Sequence, residues 1–158
     1  MKCKKCGKQA EDCRIFYPLK QLCVNCYRKE YYSRNKKHIN QYYTNYRKNR
    51  KKIDKIYATT IIVRNAIYDS LRRSNHLSLK NQKNTTDILG CSIEYFYNYI
   101  TTLFQEGMSW DNYGEWELDH IIPISSALNE NDIMRLNHYT NFQPLWKIDN
   151  QSKGDRWF

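Results

Sequence analysis

The chain has 158 residues, a mass of 19.2 kDa and a formal net charge of +10. Leu, Ile, Val and Phe together contribute only 33 residues, about 21% of the chain, which excludes a large hydrophobic core. No apolar run approaches the roughly 18 residues of a membrane span. The first residues also lack the apolar segment of a secretory signal. We therefore predict an intracellular protein, in the cytoplasm or nucleoid of a host cell, with no membrane partner.

The positive charge is concentrated in the first part of the chain. Residues 1–90 contain 22 Lys and Arg against 6 Asp and Glu, whereas residues 91–158 contain 4 against 10. An asymmetry of this size indicates a front part that binds a polyanion and a back part with a different role. Nucleic acid is the polyanion that we expect. The alternative is a basic surface that only keeps the protein soluble.

Four cysteines near the N-terminus predict a structural zinc site. Cys3 and Cys6 form one C-x₂-C pair, and Cys23 and Cys26 form a second pair sixteen residues later. This is the spacing of a four-thiolate zinc module, in which each pair presents two sulfurs to one tetrahedral ion. A redox dithiol is the alternative interpretation. Cys13 is a fifth cysteine with the chemistry to replace one of the four ligands.

A long basic helix is predicted from about residue 24 to about residue 49 or beyond. No Gly or Pro interrupts the chain between Pro18 and Gly90. Basic and tyrosine side chains are interleaved in this helix, which suits contacts with phosphates and stacking on bases. The cations that we expect to bind DNA are Lys36, Lys37, Arg47, Lys48, Arg50, Lys51 and Lys52.

The same helix carries a weak heptad pattern. Apolar or aromatic residues recur seven apart at Tyr32, Ile39, Tyr46 and Ile53. A seam of this kind pairs helices, so a homodimer through the long helix is a second interpretation. It is compatible with DNA binding because the seam and the basic face differ. A helix that is merely solvated is the third interpretation.

The central part of the chain is predicted to be helical. Apolar residues recur at helical spacing from Ile56 to Leu71. A polar loop is expected over residues 72–86. A second helix is predicted to begin after Ser92 as its N-cap and to end at Gly107. By default these helices supply core packing rather than chemistry.

Polar residues suited to catalysis follow in the last third of the chain. Residues 116–123 alternate apolar and polar side chains, which predicts a strand that ends at a proline. This strand carries Asp119 and His120 next to each other. About twenty residues later come HYTNFQPLW (138–146) and DNQSKGD (149–155), and the latter is expected to start a short helix.

As a set, DHIIP, HYTNFQPLW and DNQSKGD resemble the HNH motif of ββα-metal endonucleases. The wider stretch LGCSIEYFYNYITTLFQEGMSWDNYGEWELDHIIP is similar to the same group in phage and giant-virus HNH proteins. The resemblance covers roughly residues 88–156. It extends more loosely to the N-terminal zinc module and basic helix.

The resemblance implies a role for each residue of the motif. Asp119 and Asn150 would bind one Mg²⁺ or Mn²⁺ ion through a carboxylate and an amide oxygen, an oxygen-rich site. His120 would be the general base that activates water for attack on phosphorus. Asn141 would brace the loop that carries His120. From their positions, Lys153 or Arg156 is expected to hold an adjacent phosphate.

Together these features predict an α+β fold that is mostly helical. Its parts are a zinc-binding module (1–27), a basic DNA-binding helix (28–58), a helical region (59–109) and an HNH ββα-metal unit (110–158). The predicted activity is metal-dependent hydrolysis of phosphodiester bonds in DNA, with double-stranded DNA as the expected partner.

Two alternatives to this activity are kept. One is an endonuclease that resolves branched DNA, because a zinc module, a long helix and a DH…N motif also resemble junction resolvases of the endonuclease VII type. In those enzymes, however, the cysteines lie on both sides of the DH pair, whereas here all four precede it. The other alternative is a zinc-containing DNA-binding protein without catalytic activity.

Overall fold

The computed structural model describes residues 1–156, except for the side chains of residues 80 and 81. The chain divides into two units, Met1–Asn49 and the chain from Arg50 onward. It contains α-helices and two small antiparallel sheets, which agrees with the predicted α+β class. In chain order they are β1 (Phe16–Tyr17), β2 (Leu22–Cys23), α1 (Val24–Ile53), α2 (Lys55–Arg73), α3 (Leu79–Gln82), α4 (Thr85–Leu89), α5 (Ile93–Thr102), β3 (Trp116–His120), α6 (Glu130–Leu136), β4 (Phe142–Trp146) and α7 (Lys147–Lys153).

The first unit is built around a two-stranded antiparallel hairpin. Phe16 of β1 lies opposite Cys23 of β2, and the small buried core consists of Cys3, Leu22 and Cys23. Helix α1 begins directly after β2, so Cys26 lies in its first turn. A core of this size contributes little hydrophobic stabilisation. A metal ion bound by several residues would therefore add stability to this unit.

Helix α1 confirms the predicted long helix and extends it to Ile53. None of its 30 residues is buried. The helix stops because Asp54 adopts an extended backbone and its side chain accepts a hydrogen bond from the amide of Tyr57 at 2.8 Å, as the N-cap of α2. The predicted segment 28–58 therefore contains the end of one helix and the start of another. No described helix is apolar enough over a sufficient length to cross a membrane.

The core of the second unit lies between α2, α5 and the β3–β4 hairpin. Helix α2 buries Val63, Ile67 and Leu71 at the predicted spacing of one helix face. Phe96 and Ile100 of α5 are fully buried against the same cluster. The predicted central helices are therefore confirmed as core elements, and α2 in addition reaches the candidate active site described below.

Two predicted boundaries in this unit are wrong. The expected loop over residues 72–86 contains α3 and the start of α4, because Asn84 and Asp87 form a capping box that begins α4. Helix α5 ends at Thr102 rather than at Gly107. Phe104 lies beyond this end, and its ring packs against Trp116 at 5.0 Å between centroids.

Strands β3 and β4 form an antiparallel pair whose register runs from Trp116 opposite Trp146 to His120 opposite Phe142. Trp116 is completely buried, and its indole N–H donates to the carbonyl of Ser109 at 2.7 Å. Helix α7 follows β4 without a linker. The paired strands and α7 thus form a ββα unit, in which a connection that contains α6 joins β3 to β4. The tryptophan at position 157 lies outside the described residues.

Candidate active site and metal centre

The end of β3 and helix α7 share one cavity of about 980 Å³. Asp119 and His120 close β3, while Asn150 and Lys153 lie on α7. All four side chains line this cavity, and α2 forms another part of its wall. The ββα unit therefore brings together residues that are about thirty positions apart in the sequence.

The Asp119 carboxylate is held on one of its two oxygens. Its Oδ2 accepts a hydrogen bond from Nε2 of Gln143 at 2.9 Å and pairs with Nζ of Lys153 at 2.9 Å. Among the groups that the structure describes, none hydrogen bonds to Oδ1. This second oxygen is therefore available to a cation or to water.

Lys153, which we expected to contact a phosphate, is buried, with 8% of its side chain exposed. In addition to Asp119, its ammonium donates to the backbone carbonyl of His120 at 2.8 Å. Lys153 therefore bonds to both of the last two residues of β3, Asp119 and His120.

Asn150 faces an acidic side chain that the sequence did not single out. Its Nδ2 donates to Oε2 of Glu117 at 2.9 Å. Because a carboxylate only accepts hydrogen bonds, this contact orients the amide and turns Oδ1 away from Glu117. Glu117 and Asp119 are two residues apart on β3 and share one face of the strand. The two-residue alternation of the strand was the signal that would have identified Glu117.

The His120 ring is packed against the hairpin and directed by a buried amide. Its centroid lies 4.4 Å from that of Phe142, and Nε2 lies 3.3 Å from Oδ1 of Asn137. Burial lowers the pKa of His120 to about 4, although Asn137 and the Asp119 carboxylate act in the opposite direction. The imidazole is therefore neutral at neutral pH and has one nitrogen with a free lone pair.

Asn141 is bonded to the backbone that follows His120. Its Oδ1 accepts from the amide of Ile122 at 2.9 Å, and its Nδ2 donates to the carbonyls of Ile122 at 3.0 Å and Leu136 at 2.8 Å. The backbone carbonyl of Asn141 also accepts from the amide of Ile121 at 2.9 Å. These bonds tie the end of β3 to the start of β4.

The four cysteine sulfurs of the first unit form a cluster that can hold a structural metal such as zinc. The Sγ atoms of Cys3, Cys6, Cys23 and Cys26 all lie within 4.8 Å of one another, and those of Cys6 and Cys23 are 3.6 Å apart. A tetrahedral ion with Zn–S bonds of about 2.3 Å needs sulfurs about 3.8 Å apart. The backbone amide of Cys23 lowers the pKa of Cys3 to about 6, which favours the thiolate that a metal binds.

Cys13 lies beside this cluster and is not one of its four members. Its thiol donates to the backbone carbonyl of Gln9 at 3.2 Å. Burial, together with the neighbouring Cys23, raises the pKa of Cys13. Burial also raises the pKa of Cys26, which is one of the four, so it is the contact with Gln9 that separates Cys13 from the cluster.

The basic side chains expected to bind DNA on α1 are all exposed. They are Lys36, Lys37, Arg47, Lys48, Arg50, Lys51 and Lys52. Tyrosines exposed beside them are Tyr31, Tyr32, Tyr42, Tyr43 and Tyr46. Arg50 differs from the others because it pairs with Asp54 at 3.4 Å and its guanidinium stacks on the ring of Tyr57 at 4.2 Å.

Comparison with known proteins identifies viral relatives. The chain is 32% identical to an uncharacterized protein of Acanthamoeba polyphaga mimivirus over 124 residues, which make up 77% of this chain and 52% of the relative. A second uncharacterized mimivirus protein is 32% identical over 112 residues, 69% of this chain and 47% of the relative. The chain spans about half the length of these curated relatives. No family model and no solved structure matches it.

Proposed function

We propose that this protein is a metal-dependent DNA endonuclease of the HNH type, which hydrolyses phosphodiester bonds. One observation carries the proposal: Asp119, His120 and Asn150 line a single cavity of the unit formed by β3, β4 and α7. A carboxylate, a neutral imidazole and an amide in one open cavity are the groups needed to bind a hard cation and to take a proton from water.

The ion would bind to one side-chain oxygen from each of two residues. Asp119 would bind through Oδ1, since Oδ2 is engaged by Gln143 and Lys153. Asn150 would bind through its amide oxygen, which its contact with Glu117 turns away from that carboxylate. This donor set fits Mg²⁺ or Mn²⁺. When bound, such an ion would stabilise negative charge that develops on the phosphate and the leaving oxygen.

His120 would act as the general base. A pKa of about 4 keeps the ring neutral at neutral pH, so its lone pair can accept a proton from the attacking water. Asn141 would hold the backbone after His120 in place through its three hydrogen bonds to Ile122 and Leu136. The ring would thereby keep a fixed position relative to Asp119 at the end of β3.

The basic side chains of α1 would supply most of the affinity for DNA. Lys36, Lys37, Arg47 and Lys48 are exposed on a helix with no buried residue. Such a helix gains little stability from packing, and its charge is free to neutralise phosphates. Double-stranded DNA is the proposed partner. The cysteine cluster would hold a structural zinc ion that stabilises the start of this helix.

Cleavage of DNA by purified protein tests the proposal. Wild type, His120→Ala and His38→Ala would each be incubated with supercoiled plasmid, linear duplex and a four-way junction, with Mg²⁺ or Mn²⁺ and with EDTA. His38 is the matched control because it is an exposed histidine on α1. We expect metal-dependent cutting by wild type and His38→Ala, and its loss in His120→Ala. Binding of all three DNAs without cleavage by wild type would refute the proposal.

A further inference from the structure

We propose that Asn137 and Ser70 position the general base by holding His120 as the tautomer with its proton on Nε2. The inference rests on the proposed endonuclease function and adds two residues to it. It identifies Nδ1 as the atom that accepts the proton of the attacking water. The argument starts from Asn137, which is completely buried at the C-terminal end of α6.

The amide of Asn137 has only one possible orientation. Its Nδ2 donates to the backbone carbonyl of Ile133, one turn earlier in α6, at 2.9 Å. A carbonyl oxygen is only an acceptor, so the nitrogen of the amide must face it. The oxygen Oδ1 then faces the opposite way, toward Ser70 and His120.

This oxygen receives hydrogen bonds from two different elements. The hydroxyl of Ser70 on α2 lies 2.6 Å from Oδ1 and 2.8 Å from the backbone carbonyl of Ile67, so these two acceptors share its single proton. Nε2 of His120 on β3 lies 3.3 Å from Oδ1. An amide oxygen cannot donate. The contact with His120 is therefore a hydrogen bond only when Nε2 carries the proton. In a neutral imidazole the other nitrogen, Nδ1, then has a free lone pair.

The surroundings of Nδ1 are consistent with this role. Within residues 1–156, no protein group hydrogen bonds to Nδ1, and every buried polar side-chain atom has a partner. Nδ1 is therefore in contact with solvent, and His120 lines the cavity that also contains Asp119. The proposal puts the nucleophilic water at this nitrogen.

The contact between Ser70 and Asn137 connects the end of α6 to α2, which is distant in the sequence. It is 67 residues from Asn137 in sequence, has 4% of its surface exposed and lies one turn before Ser74 on α2. In the described part of the chain, the hydroxyl of Ser74 hydrogen bonds to the backbone carbonyls of Ser70 and Leu71 and to no other group. Ser74→Ala therefore removes the same atom from the same helix without touching Asn137, which makes it the matched control.

The first measurement is ¹⁵N NMR of protein labelled at histidine, with the His120 signals assigned by comparison with His120→Ala. We expect wild type to show a neutral His120 ring protonated on Nε2. Asn137→Ala and Ser70→Ala should shift the ring toward a mixture of tautomers, whereas Ser74→Ala should leave it unchanged. A wild-type ring protonated on Nδ1 would overturn the inference, whether or not the protein cuts DNA.

The second measurement is kinetic. In Asn137→Ala, kcat should fall by about 10–100-fold, the usual cost of removing a group that orients a catalytic side chain, while KM stays near the wild-type value. Ser74→Ala should keep the wild-type kcat. A folded Asn137→Ala with wild-type kcat contradicts the inference. If Asn137→Ala does not fold, Ser70→Ala and the wild-type spectrum decide. Absence of cleavage by wild type contradicts the endonuclease proposal and leaves the NMR result as the test of the tautomer.

Discussion

The ammonium of Lys153 lies 2.9 Å from the carboxylate of Asp119, and only 8% and 12% of the two side chains are exposed. A buried ion pair of this kind gains little net stability as a pair. Removing one partner is nevertheless costly, because the other charge stays buried without compensation. The lysine also holds the carbonyl of His120, so it connects α7 to the two residues at the end of β3.

Lys153→Met should therefore lower the stability of the protein more than its affinity for DNA. We expect a loss of about 3–5 kcal/mol in the free energy of unfolding, measured by urea denaturation. Lys147→Met is the control, because Lys147 is an exposed lysine at the start of the same helix. If Lys153→Met left stability intact and weakened DNA binding instead, the lysine would be acting as the phosphate contact that its sequence position suggested.

The cysteine cluster gives an expectation for metal content. Elemental analysis should find one zinc ion per chain in wild type and in Cys13→Ser, and none in Cys23→Ser. Zinc binding contributes on the order of 10 kcal/mol to the folding of such modules. EDTA should therefore unfold the residues around the hairpin β1–β2, as seen by loss of amide protection there. Retention of full zinc by Cys23→Ser, or its loss from Cys13→Ser, would contradict the assignment.

Much of the fold could be predicted from the sequence because its signals are local. The absence of Gly and Pro predicted α1, the spacing of apolar residues predicted the buried face of α2, and the C-x₂-C pairs predicted the cysteine cluster. The ends of α3, α4 and α5 could not be predicted. They depend on a capping box at Asn84 and on the packing of Phe104 against Trp116, and the latter joins residues twelve apart.

The supporting residues of the site were the part that the sequence did not indicate. The resemblance to the HNH motif singled out Asp119, His120 and Asn150, whereas only the alternation of β3 pointed to Glu117 and no sequence signal pointed to Asn137. Asn137 looks like an ordinary polar residue at the end of a helix. Its importance depends on a serine 67 residues away, and no local pattern relates the two. Lys153 was singled out for its position in the sequence, but its burial depends on how α7 packs against β3.

The basic face of α1 leads to an expectation for the salt dependence of binding. Each lost phosphate contact should make the slope of log K against log salt concentration less steep by about 0.9. The double variant Lys36→Gln/Lys37→Gln should therefore change the slope by about 1.8 in fluorescence anisotropy titrations between roughly 50 and 200 mM salt. Lys147→Gln should not change it. A wild-type slope near zero would exclude phosphate contacts by α1.

The last expectation concerns Arg73, at the C-terminal end of α2. Its guanidinium lines the same cavity as Asp119 and His120, and its positive charge is one of the influences that lower the pKa of His120. The described part of the chain offers it no acidic partner. Arg72 beside it does have one, since it lies 3.8 Å from Asp69.

An unpaired guanidinium in that cavity is suited to bind the phosphate that is cleaved. Arg73→Ala should therefore lower kcat/KM for plasmid cleavage by about 100-fold, the scale on which removal of one charge-stabilising donor acts. Arg72→Ala changes the net charge by the same amount at the neighbouring position, and we expect it to stay near wild type. The comparison separates local charge at the cavity from the general attraction of a basic protein for DNA. Equal losses in the two variants would mean that Arg73 contributes only to that general attraction.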